Sequence, residues 1–128
     1  DRGYIRTIAG RRCRFNQWEH RFEDSIPLPL KEAQEKYGDN LKRSYTYKAL
    51  NRLIQGSAAD MTKLAMLGLW EEGIVPHLQV HDEVDISVEN TDQAQKVTRI
   101  MENCIELAVP LVVNVELGRS WGETEKII

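Results

Sequence analysis

Helical and strand patterns fall in separate stretches of this chain, so the predicted class is α+β, and three observations carry that reading. Residues 41–72 place Leu50, Leu53, Ile54, Met61, Leu64, Ala65 and Leu69 at three- and four-residue steps, the pattern of a long helix with one buried stripe. Residues 78–88 alternate instead, with Leu78, Val80, Val84, Ile86 and Val88 set against His77, Gln79, His81, Asp85 and Ser87. That period of two predicts an antiparallel hairpin, apolar on one face and polar on the other. A second amphipathic helix opens at Asn90 or Thr91, buries Ala94, Val97, Ile100, Met101, Cys104 and Ile105, and is stopped by Pro110. Residues 111–117 then read as a valine-rich final strand and residues 118–128 as a polar tail. The expected architecture is a central antiparallel hairpin, a final strand and two long amphipathic helices.

Upstream of the long helix the pattern is looser. Residues 3–8 and 11–15 flank Ala9-Gly10 as a small hairpin carrying Arg2, Arg6, Arg11, Arg12 and Arg14, a candidate phosphate surface. Residues 16–40 show little periodicity; Pro27 and Pro29 enforce an extended stretch, and a short helix over 31–37 ends at Gly38. The division this suggests is a basic hairpin with a loop-rich insertion over 1–40, then a helix, hairpin, helix and strand over 41–128. Gly56, Ser57, Ala58 and Ala59 form a patch of small residues in the long helix, best explained by close packing against a neighbouring element.

Composition sets limits on function. A chain of 128 residues with 41% hydrophobic content is long enough for one compact domain with a core. No apolar run approaches the length of a membrane span and the first residues do not form a secretory signal, so a cytoplasmic protein without membrane contact is expected. Cys13 and Cys104 are far apart and form no metal-binding or disulfide pattern. The net charge of −3 is unevenly shared: residues 1–63 hold 13 Lys/Arg against 8 Asp/Glu, and residues 64–128 hold 4 against 12. A basic half suits phosphates and an acidic half suits divalent cations, but on charge counts alone ordinary solvated surface is the favoured explanation.

The chemistry concentrates at residues 79–83. Gln79-Val80-His81-Asp82-Glu83 sits at the predicted hairpin tip, where the backbone fixes a histidine and two carboxylates. Magnesium takes hard oxygen ligands, commonly one or two carboxylates completed by phosphate oxygens, and Asp82 with Glu83 beside it matches that need. A two-metal site needs a further carboxylate from another element; Asp85 and Asp60 are weak candidates, which leaves the site half complete. An Asp-Glu turn alone is more often a solvated tip. On the long helix, Tyr47, Asn51 and Gln55 follow at four-residue steps on one face. The amides of Asn51 and Gln55 can donate to the acceptors that every base pair presents in the minor groove, a contact that ignores sequence.

Three ordered segments then carry a resemblance. Gly3-Tyr4-Ile5-Arg6-Thr7 with Gly10-Arg11-Arg12, Asn51-Arg52-Leu53-Ile54-Gln55-Gly56-Ser57-Ala58-Ala59-Asp60, and Leu78-Gln79-Val80-His81-Asp82-Glu83 resemble the C-terminal part of family A, Pol I-like DNA polymerases, over residues 3–122. The last segment resembles the family's palm motif C. The resemblance implies that residues 1–40 derive from the end of the fingers and that residues 41–128 are a portion of the palm. It implies that Asp82 and Glu83 are catalytic, that Asp82 binds metal, and that the cofactor is Mg²⁺, as two ions in a complete enzyme. It further implies that Asn51, Gln55 and His81 contact DNA. The implied partners are primer-template DNA, deoxynucleoside triphosphates and an N-terminal part of the polymerase, on the same or a separate chain.

Two departures qualify the match. Tyr47 stands where many bacterial members have arginine, so Lys48 or Arg43 would have to replace that contact. Residues 16–43 resemble an insertion of phage-type members, which makes a phage-type replicative polymerase the expected source. The family's other metal-binding aspartate, the nucleotide-gripping fingers helix, the thumb and the exonuclease domain would precede Asp1, so the chain is expected to end naturally, to be cut or split upstream, and to be inactive alone. A non-catalytic DNA-binding module is the alternative function, and a small phosphohydrolase built on His81-Asp82-Glu83 a further one.

Overall fold

A computed structural model describes residues 3–127; Arg2, counted above among the arginines of the first hairpin, lies outside them. The chain is α+β as expected, but its core is divided. Two compact units form, the first ending at Ser57 and the second beginning at Ala58. Phe15, Ala33 and Leu41 are buried in the first, and Ala65, Leu69, Ile74 and Ala94 in the second.

In the first unit β1 (Tyr4–Arg6) pairs antiparallel with β2 (Arg12–Arg14). The connection is closed by Thr7 N–H donating to Arg11 O and Gly10 N–H donating to Thr7 O, both at 2.9 Å. Gly10 has φ of 85°, a conformation glycine adopts without steric cost. The segment expected to be loop-rich is instead a small sheet. β3 (Gln17–His20) lies between β4 (Leu28–Pro29) and β5 (Leu41–Arg43), both antiparallel to it. Pro29 is on the edge strand, where its missing N–H costs no ladder bond. Helix α1 (Leu30–Tyr37) follows directly and closes at Gly38, whose N–H donates to Gln34 O.

The long helix does not begin at residue 41. Pairing with β3 claims β5, and Arg43 is fixed there, its guanidinium 4.4 Å from the Trp18 ring and donating to Phe15 O at 2.8 Å. Ser44 is fully buried and donates to Glu19 Oε2, and Tyr45 then turns with φ of 61°. A 3-10 turn (Thr46–Lys48) leads into α2 (Ala49–Glu71). Nor is the apolar stripe continuous: Ala65 and Leu69 are buried, whereas Leu50 is 67% and Ile54 57% exposed. Helical spacing shows which residues share a face; it does not show that something covers that face.

The second unit holds the rest of α2, the hairpin of β6 (Leu78–Val80) and β7 (Glu83–Asp85), and α3 (Thr91–Glu102). Asn90 caps α3, its Oδ1 accepting from Gln93 N–H at 2.9 Å. Gly68 lets α2 approach α3, because a Cβ there would lie 3.1 Å from Ile100 Cγ2. Lys96 on α3 pairs with Glu72 at 2.8 Å. The helix ends at Glu102, well before Pro110, with Asn103 Nδ2 donating to Arg99 O. Of its expected buried face, Ala94 is buried while Val97, Ile100, Met101, Cys104 and Ile105 are half-buried.

The expected final strand is displaced as well. Residues 111–115 are rich in valine but form no strand; among the described residues their one backbone tie to the tail is Val115 O accepting from Ile127 N–H at 2.9 Å, and β-propensity without a partner makes no ladder. The pairing starts at β8 (Glu116–Gly118), which is antiparallel to β9 (Thr124–Lys126) around a 3-10 turn (Trp121–Glu123), so the tail is a hairpin. Thr124 Oγ1 donates to Glu116 Oε2 and helps to hold it. Trp70 and Trp121 are 63% and 67% exposed. Among the described residues no helix is long and apolar enough to cross a membrane.

Candidate functional site

The β6–β7 hairpin is closed by two residues, His81 and Asp82, because Val80 pairs with Glu83, Gln79 with Val84 and Leu78 with Asp85. His81 has φ of 53°, and it alone of the two turn residues has a positive φ. That is the sign pattern of a II′ hairpin, whose first central position ordinarily belongs to glycine. A histidine there costs about 1–2 kcal/mol through its Cβ. The Gln79 side chain donates its Nε2 hydrogen to His81 O and so ties the turn to the strand behind it. The turn therefore directs His81 and Asp82 out of the hairpin end, both exposed, with the exposed Glu83 at the start of the returning strand.

The register overturns the expected two-faced hairpin. In an antiparallel pair, directly opposite residues share a face. Leu78 and Val80 therefore lie with Glu83 and Asp85, and Gln79 lies with Val84. A two-residue turn pairs even positions of one strand with odd positions of the other, which the alternation within each strand does not reveal. Leu78, Gln79 and Val80 are all exposed, so neither face of β6 is closed off by the described residues. Asp85 Oδ2 is shielded from solvent and has no hydrogen-bond partner among the described residues, while its backbone carbonyl accepts from His77 N–H at 2.9 Å.

Asn51 and Gln55 lie in the first unit, on the N-terminal half of α2. Both are exposed, as are Tyr47 in the preceding 3-10 turn and Ala58 further along α2. The opposite side of this half-helix is occupied: Arg11 Nη2 donates to Gly56 O at 3.0 Å, Ile8 N–H donates to Ser57 Oγ at 3.0 Å, and Arg52 Nη1 reaches Cys13 Sγ at 3.6 Å. A Cβ on Gly56 would stand 2.8 Å from Thr7 Cγ2, so the first hairpin lies against the helix backbone as the small-residue patch predicts. Packing on that side turns the Asn51 and Gln55 amides toward solvent.

Asp82 fits a divalent cation as one ligand among several. Magnesium ordinarily takes one or two carboxylates and fills its octahedron with phosphate oxygens and water. Among the described residues no group of three or more His, Cys, Asp or Glu could hold a metal ion, so these residues do not by themselves form a closed cage. Asp60 is buried on α2 and does not join Asp82 in such a group. His20 is structural, its Nδ1 accepting from Glu23 N–H. Cys104 is a packed thiol that burial pushes above the usual range, the opposite of what a nucleophile needs.

Comparison with known proteins gives a consistent result. The model of DNA polymerase family A matches residues 1–123. A DNA-directed DNA polymerase of Pseudomonas phage M6 is 41% identical over 122 residues, covering 95% of this chain and 15% of that protein. DNA polymerase theta of Drosophila melanogaster is 32% identical, covering 98% of the chain and 6% of its own length. The thermostable DNA polymerase I of Thermus aquaticus is 36% identical over 128 residues, covering 94% of the chain and 13% of that protein. The chain thus spans between 6% and 15% of these relatives.

Proposed function

The chain belongs to DNA polymerase family A, and from that premise we propose that it supplies the primer-end portion of a polymerase palm, with Asp82 as a metal-binding carboxylate. The observation that carries this reading is the two-residue turn, which fixes His81, Asp82 and Glu83 in adjoining, exposed positions at one hairpin end. In this reading residues 1–40 derive from the end of the fingers and residues 41–128 are palm. The substrates are primer-template DNA and deoxynucleoside triphosphates, the remaining active-site groups come from an N-terminal part of the polymerase, and a phage-type enzyme is the preferred source.

Each residue has a defined task. Asp82 presents a carboxylate whose direction is set by backbone rather than by a long side chain, which limits the reorganisation needed during reaction. Glu83 adds a second negative charge at the same end and raises the local affinity for cations. His81, held in a strained turn, places its imidazole at the primer terminus. Asn51 and Gln55 meet base-pair acceptors in the minor groove, so any correctly paired end is accepted. Mg²⁺, two ions in the complete enzyme, supplies charge neutralisation for the phosphates and activation of the primer 3′ oxygen.

The test is primer extension by a full-length family A polymerase that carries this segment. Asp82→Ala should reduce extension by roughly 10³-fold or more, the scale of several kcal/mol of lost transition-state stabilisation. Binding of the primer-template should change little. Extension retained within tenfold of the parent enzyme would remove Asp82 from the mechanism and favour a non-catalytic DNA-binding module.

A further inference from the structure

The outer face of the β1–β2 hairpin in the first unit carries three exposed arginines. Its register sets Tyr4 opposite Arg14, Ile5 opposite Cys13, and Arg6 opposite Arg12. Opposite residues share a face, as do residues two apart in a strand. Tyr4, Arg6, Arg12 and Arg14 therefore lie together, with Ile5 and Cys13 on the other side. The inner side is engaged, since Cys13 Sγ meets Arg52 and the connecting residues Thr7 and Ile8 meet Gly56 and Ser57.

On the outer side Arg6, Arg12 and Arg14 are all exposed. Among the described residues none of the three forms an ion pair. Two of them converge on one ring: the guanidinium carbons of Arg12 and Arg6 are 5.1 and 5.9 Å from the Tyr4 centroid. Like charges directly opposite in a strand pair are destabilising, and Arg6 faces Arg12 in this way. The aromatic face offsets part of that repulsion and holds both guanidiniums at the surface. The register spaces them about 5 Å across the strands and about 6.7 Å along them, a repeat suited to a polymer of regularly spaced anions. Guanidinium forks pair well with phosphate oxygens, and no base edge is needed for such contacts.

We propose that the face formed by Tyr4, Arg6, Arg12 and Arg14 binds the phosphodiester backbone of DNA without regard to sequence, with Tyr4 as the splint that organises the guanidiniums. The proposal rests on the reading of the chain as part of a DNA polymerase, and it is independent of the role given to Asp82.

The test is the binding of the 128-residue chain to fluorescein-labelled DNA, duplex and single-stranded, by anisotropy over a series of KCl concentrations without added metal. Each phosphate contact contributes about 0.9 to the slope of log K against log salt on duplex and about 0.7 on single strands. The variant Arg6→Gln/Arg12→Gln/Arg14→Gln should lose roughly 2 to 3 from that slope on duplex and bind both DNAs more weakly. Arg12→Lys should keep the slope, and Tyr4→Leu should weaken binding several-fold while leaving the slope near that of the parent. A wild-type slope in the triple variant overturns the proposal, and so does a parent chain that fails to bind either DNA at low salt. Circular dichroism checks the fold; if the triple variant is unfolded, Arg12→Gln and Arg14→Gln singly decide the matter, each with an expected loss of about 0.9 on duplex. Normal extension by Asp82→Ala together with a lost slope in the arginine variants would sink the catalytic reading and leave this surface standing; the reverse pattern would sink the surface alone.

Discussion

The β1–β2 and β6–β7 hairpins have strands of equal length, three residues each, yet are held in opposite ways. The first is fixed from outside: its connection lies on α2, touching Gly56 and Ser57, and its strand residue Cys13 meets Arg52. The second is fixed from within, by a two-residue turn and the bond from Gln79 to the His81 carbonyl, while all of β6 remains exposed. Their charges are opposite too. Residues 1–57 carry 12 Lys/Arg against 7 Asp/Glu, and residues 58–128 carry 5 against 13. A tertiary contact can present a broad face of cations, for which small displacements matter little. A tight turn can aim one carboxylate, for which position matters most. The two modes of support match the two tasks proposed for them.

That contrast can be broken at specific residues. The largest effect is expected at Gly56. Gly56→Ala would place a Cβ 2.8 Å from Thr7 Cγ2 and push the first hairpin off the helix. The expected cost is about 1–3 kcal/mol in urea unfolding, the range for overpacking. Amide exchange at Thr7, Gly10 and Arg11 should rise, while the β6–β7 amides keep their rates. Unchanged stability would show that the first hairpin does not depend on its helix.

A smaller effect of opposite sign is expected at the other hairpin. His81→Gly removes a left-handed strain of about 1–2 kcal/mol and adds about 0.4–1 kcal/mol of unfolded-chain entropy to be lost, leaving a net gain of about 0–1.6 kcal/mol. Primer extension by the full-length enzyme should nevertheless fall, because the imidazole is lost. Higher stability with lower activity would mark the turn as strained for a purpose; a drop in stability would show that the turn carries no strain.

The smallest effect concerns the Lys96–Glu72 ion pair of the second unit. The Lys96 ammonium, through a hydrogen bond and its charge, holds the exposed Glu72 carboxyl below the usual carboxylate range. A lowered folded-state pKa contributes stability that is present above the ordinary carboxylate value and is lost as pH falls through the lowered one. Lys96→Met should therefore reduce Tm slightly at pH 7, and the difference should vanish near the acid end of the carboxylate range, about pH 3. A difference that persists in acid would point to lost packing of the lysine stem.

Much of the site was legible because it is local. The turn at His81-Asp82 follows from a short polar pair between two apolar strand runs, and the cap at Asn90 follows from one side chain reaching Gln93 N–H three residues on. What failed was pattern that needs a partner. The apolar spacing of Leu50 and Ile54 reads as core, but among the described residues both are exposed. The valines near residue 113 read as a strand, but the pairing lies at Glu116–Gly118. Residues 16–40 read as loop because strands of two to four residues are too short to show a period. The shared face of Tyr4, Arg6, Arg12 and Arg14 is an alternation that appears only when both strands are read as a pair.

The sequence by itself determined the α+β class, the family, the start of α3, and the presence of a histidine and two carboxylates at one turn. These depend on bonds and contacts spanning a few residues, or on motifs that evolution leaves in linear order. Only the tertiary structure decided that β5 breaks the expected helix, that the core is divided at Ser57, which faces of the hairpins carry Arg6 and Glu83, and that His81 adopts a positive φ. Register is the physical reason. A shift of one residue in pairing moves every side chain to the opposite face, and pairing is a property of two segments together.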